Sequence, residues 1–244
     1  MSVWDFGDFH ANEKNERYFL EEDLFPEQKD MTKEDVLIIN GDVGLLRYFP
    51  NESKYYKDIK NREWFASKNY TTLCIMGNHE NWYLYNELPI IDKWGGKVKV
   101  LSTDLGDIFI AITGEVYTIC NKTFFVVNGA TSIDYKDRTI GVDLFEEENL
   151  SYRETYIVEA KAKEVKKVTF LLTHTCSQEV IGYFSSGASD HPMYKCKTSQ
   201  FLAYLDTILD YDENLFGHLH KQKSITISNK TYSCFYKTKP RKIC

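Results

Sequence analysis

The run Thr72-Leu73-Cys74-Ile75-Met76 ends at Gly77-Asn78-His79-Glu80, and an aromatic segment beginning Asn81-Trp82-Tyr83 follows. An apolar run of this length closed by Gly reads as a buried strand that stops in a turn, so three polar side chains emerge together at a strand tip. Strand tips are where α/β folds keep their chemistry. The arrangement recurs at four other places. Val3 to Phe6 leads into Gly7-Asp8-Phe9-His10, and Val36-Leu37-Ile38-Ile39 leads into Asn40-Gly41-Asp42. Val168 to Leu172 leads into Thr173-His174, and Leu215-Phe216 leads into Gly217-His218-Leu219-His220. Five of the six histidines stand at these tips, so one shared site is the economical explanation.

Around these tips the chain alternates strand and helix. Asp8 and His10 are two apart, and in extended backbone positions i and i+2 face the same side, so both can reach one ion. A helix is expected from Asn15 to about Gln28, with Tyr18, Phe19, Leu20 and Leu24 as its apolar side and Pro26 weakening its end. A second runs from Glu52 to Ser67, completing a pattern of right-handed parallel crossovers. The middle is β-rich: Val98 to Leu101, Ile108 to Ile119, and Thr123 to Val127, with a hairpin turn at Asn121-Lys122. Antiparallel pairing beside the parallel sheet is therefore expected.

Gly129-Ala130-Thr131-Ser132-Ile133-Asp134 and Arg138 lie in a long polar loop that runs to an acidic patch, Glu146-Glu147-Glu148. Long loops in compact domains serve as lids or binding walls. Lys136 and Arg138 are read as solvated residues of that loop rather than phosphate contacts. A helix begins at Ser151 and is lysine-rich up to Lys167. A second loop spans Ser177 to Lys197 and holds His191, the one histidine outside the motifs, read as a loop residue. A helix over Thr198 to Leu209 follows, then a hairpin of Ser224 to Ile227 and Thr231 to Tyr236 around Asn229-Lys230.

At 244 residues the chain is long enough for one large core, and no linker divides it, so residues 1–244 are read as a single domain. The formal charge of −6 argues against a broad footprint for duplex nucleic acid, but not against a small phosphate-bearing substrate. Six cysteines without a CxxC pair favour a reduced cytoplasmic setting, with Cys74, Cys120 and Cys234 as small core residues of strands. No signal peptide pattern and no apolar run of about 20 residues is present, so neither export nor membrane insertion is expected.

The collected donors are Asp8, His10, Asp42, Asn78, His174, His218 and His220. Seven N and O ligands without a Cys exceed one tetrahedral zinc and suit two ions sharing a carboxylate, with Asp42 as the natural bridge. Manganese is the first choice, with iron or zinc as alternatives, since imidazole and carboxylate suit all three.

In order, Asp8-Phe9-His10, Gly41-Asp42, Gly77-Asn78-His79-Glu80, His174 and Gly217-His218-Leu219-His220 resemble the five blocks of the calcineurin-like metallophosphoesterase superfamily. Gly129 to Asp134 with Arg138 beyond also resembles a loop of its small bacterial and phage members. The resemblance implies an α/β, four-layer α/β/β/α sandwich of two mixed β-sheets flanked by helices. It implies that Asp8, His10 and His220 hold one metal, that Asn78, His174 and His218 hold the other, and that Asp42 bridges them. His79 would protonate the leaving oxygen, with Glu80 holding it in orientation. Ala11 stands where members often have Gly.

The activity so implied is hydrolysis of a phosphomonoester or phosphodiester by in-line attack of a hydroxide shared by two cations. A small molecule or nucleotide is the favoured substrate. A protein serine/threonine phosphatase is disfavoured, because Val43-Gly44-Leu45-Leu46-Arg47 lacks the Asp-Arg-Gly element of that branch. A nuclease acting on long polynucleotides is disfavoured by charge. A non-catalytic scaffold would have lost ligands, and every expected position is filled.

Overall fold

Val36, Leu37, Ile38 and Ile39 form β2 (Val36–Ile39), and successive side chains leave it on opposite faces. Val36 and Ile38 enter one apolar layer, Leu37 and Ile39 another. The same alternation sends Val3 of β1 (Val3–Phe6) and Leu73 of β3 (Thr71–Cys74) one way, and Trp4, Phe6 and Cys74 the other. Strands buried on both faces are expected to read as unbroken apolar runs. β1 pairs with β2 and β2 with β3, all parallel, and α1 (Tyr55–Ala66) carries the crossover between β2 and β3.

The computed structural model describes residues 1–10, 17–184 and 192–244. Beyond β3, β6 (Gly106–Ala111) extends the parallel set, and β5 (Gly96–Thr103) and β4 (Ile90–Lys93) close that edge antiparallel. At the opposite edge β13 (Arg241–Lys242) pairs antiparallel with β1. The second sheet is ordered β11 (Lys223–Ile227), β12 (Lys230–Cys234), β10 (Asp210–Phe216), β9 (Lys167–Thr173), β8 (Lys122–Val127), β7 (Val116–Ile119). Its inner strands are parallel and its edges antiparallel.

Val3, Ile38 and Leu73 of the first sheet meet Phe124, Phe170 and Leu215 of the second in the layer between them. The outer face of the first sheet is covered by Phe65 of α1 and by Trp82 and Tyr85 of α2 (Trp82–Asn86). The outer face of the second is covered by α3 (Tyr152–Val165), α4 (Gln178–Phe184) and α5 (Lys197–Ile208) through Val158, Ile181, Phe184, Leu202 and Leu205. Burying each such side chain contributes roughly 1.5–3 kcal/mol before chain entropy is charged against it. This is the expected four-layer α/β/β/α sandwich of two mixed sheets.

Several local expectations are corrected. No α-helix occurs among residues 17–28; two 3₁₀ turns, Arg17–Leu20 and Pro26–Asp30, stand there. The buried Gln28 amide donates to the carbonyls of Leu20 and Phe25, while Pro26 has no N–H to continue a helix. Residues 108–119 are β-rich as expected and divide between two strands: the chain leaves the first sheet after Ala111 and enters the second at Val116. Both hairpin turns sit one residue earlier than expected, at Cys120-Asn121 and Ser228-Asn229, where paired positive φ values suit a two-residue turn. Cys120 is therefore a turn residue, not a strand residue. The segment 177–197 contains α4 and a 3₁₀ turn, Pro192–Lys195, and is not a continuous loop. Ala11, the expected start of the first helix at Asn15, and His191 lie outside the described residues. Among the described residues no helix is long and apolar enough to cross a membrane.

Candidate metal centre

The turns that follow β1, β2, β3, β9 and β10 bring the motif residues together. Asp8, His10, Asp42, His218 and His220 all have positive φ, between 45° and 59°. Non-glycine residues adopt this region at a cost of about 1–3 kcal/mol each, and such strain concentrates at functional sites. Asp8 and His10 are thus not extended, as their spacing had suggested; the chain turns at both. The His10 N–H donates to the Asp42 carbonyl at 2.6 Å, which ties the first turn to the second. Glycines allow the close approach: a Cβ on Gly77 would lie 2.1 Å from Asp42 Oδ1, and one on Gly41 2.2 Å from His174 Nδ1.

Asp8 faces two imidazoles, with Oδ1 2.8 Å from His10 Nε2 and Oδ2 2.8 Å from His220 Nε2. Asp42 Oδ2 lies 3.6 Å from His10 Nε2 and 3.4 Å from His174 Nε2, midway between two groups of donors. In the second group His174 Nε2 is 3.0 Å from Asn78 Oδ1, and the His174 and His218 ring centroids are 5.0 Å apart. His174 is oriented from behind by the Asn40 carbonyl, 2.7 Å from Nδ1. The half-exposed His220 is stacked on Tyr236 with ring centroids 4.3 Å apart. All seven expected ligands meet in one place.

The charges compensate one another. Burial works to raise Asp42, but His174, His79 and His10 outweigh it and hold the carboxyl well below its ordinary range. Burial likewise opposes ionisation of Asp8, and His10 and His220 reverse it, keeping that carboxyl low. His174 would be lowered by burial, yet Asp42 beside it raises its pKa to about 9. Burial, then His174, pushes His218 down to about 3.

A cation fits this set. His218 Nε2 is buried without a hydrogen-bond partner among the described residues, and three clusters, Asp8 with His10 and His220, His10 with Asp42 and His79, and Asp8 with Asp42 and His174, converge within ligand range. The donors are all N and O, suited to hard or borderline divalent ions.

His79 stands at the rim, a quarter exposed, with Nε2 3.8 Å from Asp42 Oδ2. Burial lowers its pKa to about 4, with Asp42 acting against burial and Arg138 adding to it. Glu80 does not orient it. The buried Glu80 carboxylate accepts from the backbone N–H groups of Gly77 at 2.6 Å, Val43 at 2.5 Å and Asp42 at 3.2 Å. Its place is therefore to brace the turns after β2 and β3 against each other. The group on His79 is Arg138, whose Nη2 lies 2.8 Å from both ring nitrogens, so one N–H serves either nitrogen but not both. Arg138 is not a solvated loop residue: its side chain is 6% exposed and paired with Asp134 at 2.8 Å. Glu148, expected on an acidic surface, is buried. Sequence reading missed both, though a lone Arg amid the polar loop was the available signal.

A family model described as calcineurin-like phosphoesterase matches residues 1–222. Among curated proteins, none matches this sequence. Phosphopantetheinyl hydrolase from Mycobacterium tuberculosis is similar over 99% of this chain and 95% of its own, at 16% identity and a TM-score of 0.49. Plasmodium GAP50, described as the anchor in the inner membrane complex, is similar over 97% of this chain and 71% of its own, at 11% identity and TM-score 0.51. A Staphylococcus aureus protein described as a 5′-nucleotidase, in complex with alpha-ketoglutarate, is similar over 97% of this chain and 49% of its own, at 12% identity and TM-score 0.51. At such identities the two structures with a TM-score of 0.51 show the fold alone, while the match along most of the sequence carries the assignment. The chain belongs to the calcineurin-like phosphoesterase family and is a metallophosphoesterase.

Proposed function

We propose that the chain hydrolyses a phosphomonoester or phosphodiester with two metal ions, using residues 1–244 as one catalytic unit. Asp42 carries the reading: its Oδ2 lies within 3.6 Å of His10 Nε2 on one side and 3.4 Å of His174 Nε2 on the other. Asp8, His10 and His220 would hold one ion, Asn78, His174 and His218 the other, and Asp42 would be shared. Manganese is the first choice, with iron or zinc as alternatives. Such ions polarise phosphoryl oxygens and lower the pKa of water.

The residues divide the remaining work. His79, at the rim of the donor cluster, would pass a proton to the departing oxygen, a contribution typically worth about 10²–10⁴-fold. Its low pKa in the cation-free protein opposes that role, and an anionic phosphoryl group beside it works in the opposite direction. Glu80 keeps the turns in register. β13, pairing with β1, supports counting the last residues in the same unit. The formal charge of −6 supports a small or nucleotide substrate over a long polynucleotide, and six free thiols support a cytoplasmic setting.

Cation-free protein resupplied with Mn²⁺ should hydrolyse an aryl phosphate or a bis-aryl phosphate, and Asp42→Asn should lose that turnover. Metal-loaded wild-type protein that leaves both esters intact would overturn the reading of simple phosphomonoesters and phosphodiesters as its substrates.

A further inference from the structure

The segment between β8 and α3 touches the Asn78-His79 turn in ways the hydrolytic reading does not use. Ser132 is fully buried, and its hydroxyl donates to Glu148 Oε2 at 2.6 Å. With its one proton committed, Ser132 Oγ has only lone pairs to offer, and Asn78 Nδ2 donates to it at 3.1 Å. Asn78 must then direct its carbonyl Oδ1 the other way, toward His174 Nε2. A reversed amide would present N–H groups to the cations and no lone pair. Glu148 is itself fixed by the N–H groups of Phe145 at 3.2 Å and Ser132 at 3.3 Å. Its charge is met by Arg138 Nη1 at 3.8 Å, and the same nitrogen donates to the Asn78 carbonyl at 2.9 Å. Gly129, at φ +86°, lets the segment close: a Cβ there would lie 2.3 Å from the Glu148 carbonyl oxygen.

We infer that Glu148, Ser132 and Arg138 clamp the Asn78-His79 turn, with Glu148 and Ser132 deciding which end of the Asn78 amide faces the cations. This rests on the two-cation reading above. Glu148 and Ser132 are positioning residues: they act on the ion only through Asn78, as the outer partners of metal ligands do elsewhere.

The test is Mn²⁺ binding by equilibrium dialysis on full-length protein, with circular dichroism to verify folding. Wild type should bind two ions. Ser132→Ala should weaken one of them about 10–100-fold and leave the other unchanged, and Ser132→Thr, which keeps the hydroxyl, should restore it. Because a carboxylate offers oxygen at both ends, Ser132→Ala made in an Asn78→Asp background should change affinity little, so the two substitutions should be strongly non-additive. Two undiminished ions in Ser132→Ala, or full additivity with Asn78→Asp, would overturn the clamp. If Ser132→Ala fails to fold, Glu148→Leu, which removes both acceptor oxygens and so frees the Ser132 proton, must show the one-ion loss, and two undiminished ions there overturn it equally. Wild type that binds no cation would instead remove the two-cation reading beneath it.

Discussion

His79 differs from the other site histidines in resting against Arg138, whose Nη2 lies 2.8 Å from either ring nitrogen, and in standing outside the proposed ligand set. Its role is therefore separable from binding. His79→Ala should retain both ions and lose on the order of 10²–10⁴-fold in turnover of an alkyl phosphate, with a smaller loss on a nitrophenyl ester whose leaving group needs no proton. Equal losses on the two esters would remove the acid role. His174 makes a second prediction. Raised to about 9 beside Asp42, it carries a proton in cation-free protein at neutral pH, and an incoming ion must displace it. Affinity for Mn²⁺ should weaken as pH falls below about 9, and titration calorimetry in buffers of different ionisation enthalpy should register proton release. Heats independent of buffer would reject His174 as a ligand. Asp5 gives a third. Buried between the sheets beside Asn40 and Arg241, it is pushed up to about 7 by burial, with Arg241 and the Asn40 hydrogen bond acting against it. A carboxyl raised above its unfolded value holds its proton more tightly when folded, so stability falls as pH rises from about 4 to 7 and is flat above. In cation-free protein Asp5→Asn should remove that slope and gain on the order of a few kcal/mol at pH 8 but little at pH 4. Urea denaturation at the two pH values checks this, and identical slopes in both proteins would locate the effect elsewhere. The convergence of the proposed ligands could be read from the sequence because each follows an apolar run. Arg138 and Ser132 were not, because their partner Asn78 lies 60 and 54 residues away and only the folded loop joins them.

Helix α3 shows how an element end can be specified locally. Ser151 Oγ accepts from the Glu154 N–H at 3.2 Å and Glu154 Oε2 accepts from the Ser151 N–H at 2.9 Å, a reciprocal cap on an otherwise mostly exposed start. Ser151→Ala should cost about 1 kcal/mol in urea denaturation. An unchanged midpoint would mean that packing of Val158 and Ala162 sets the helix start. This cap was readable from Ser-x-x-Glu, and the strand positions were readable because two-faced burial leaves continuous apolar runs. The expected helix before Gln28 failed for a reason no periodicity contains. Gln28 takes the carbonyls of Leu20 and Phe25 into its own side-chain bonds, and the apolar residues reach the core from 3₁₀ turns instead. α4 was missed although Val180, Ile181 and Phe184 carry a helical spacing, because the segment was weighed by its glycine and serines further on.

For the molecule as a whole, the proposed ligands follow strands of both sheets, so an ion held by them would tie the two halves of the sandwich together. Each ion at a hundredfold excess over its Kd should add about 2.7 kcal/mol, and chelation should lower Tm by several degrees. Thermal scans with and without chelator measure it. A Tm unmoved while the ions demonstrably leave would show that the empty turns are held as firmly by their own hydrogen bonds. The opposite pole has a different consequence. Val3 opens β1, and its N–H donates to the Cys244 carbonyl at 3.0 Å, so both ends of the chain lie at the foot of the strand whose upper end reaches the site. Four residues of strand, about 13 Å, stand between them and Gly7. A reporter domain fused to either end, or a surface tether built there, would therefore emerge away from the substrate's door, and joining old ends to open a new pair in the Ser228-Asn229 turn would need only a short bridge.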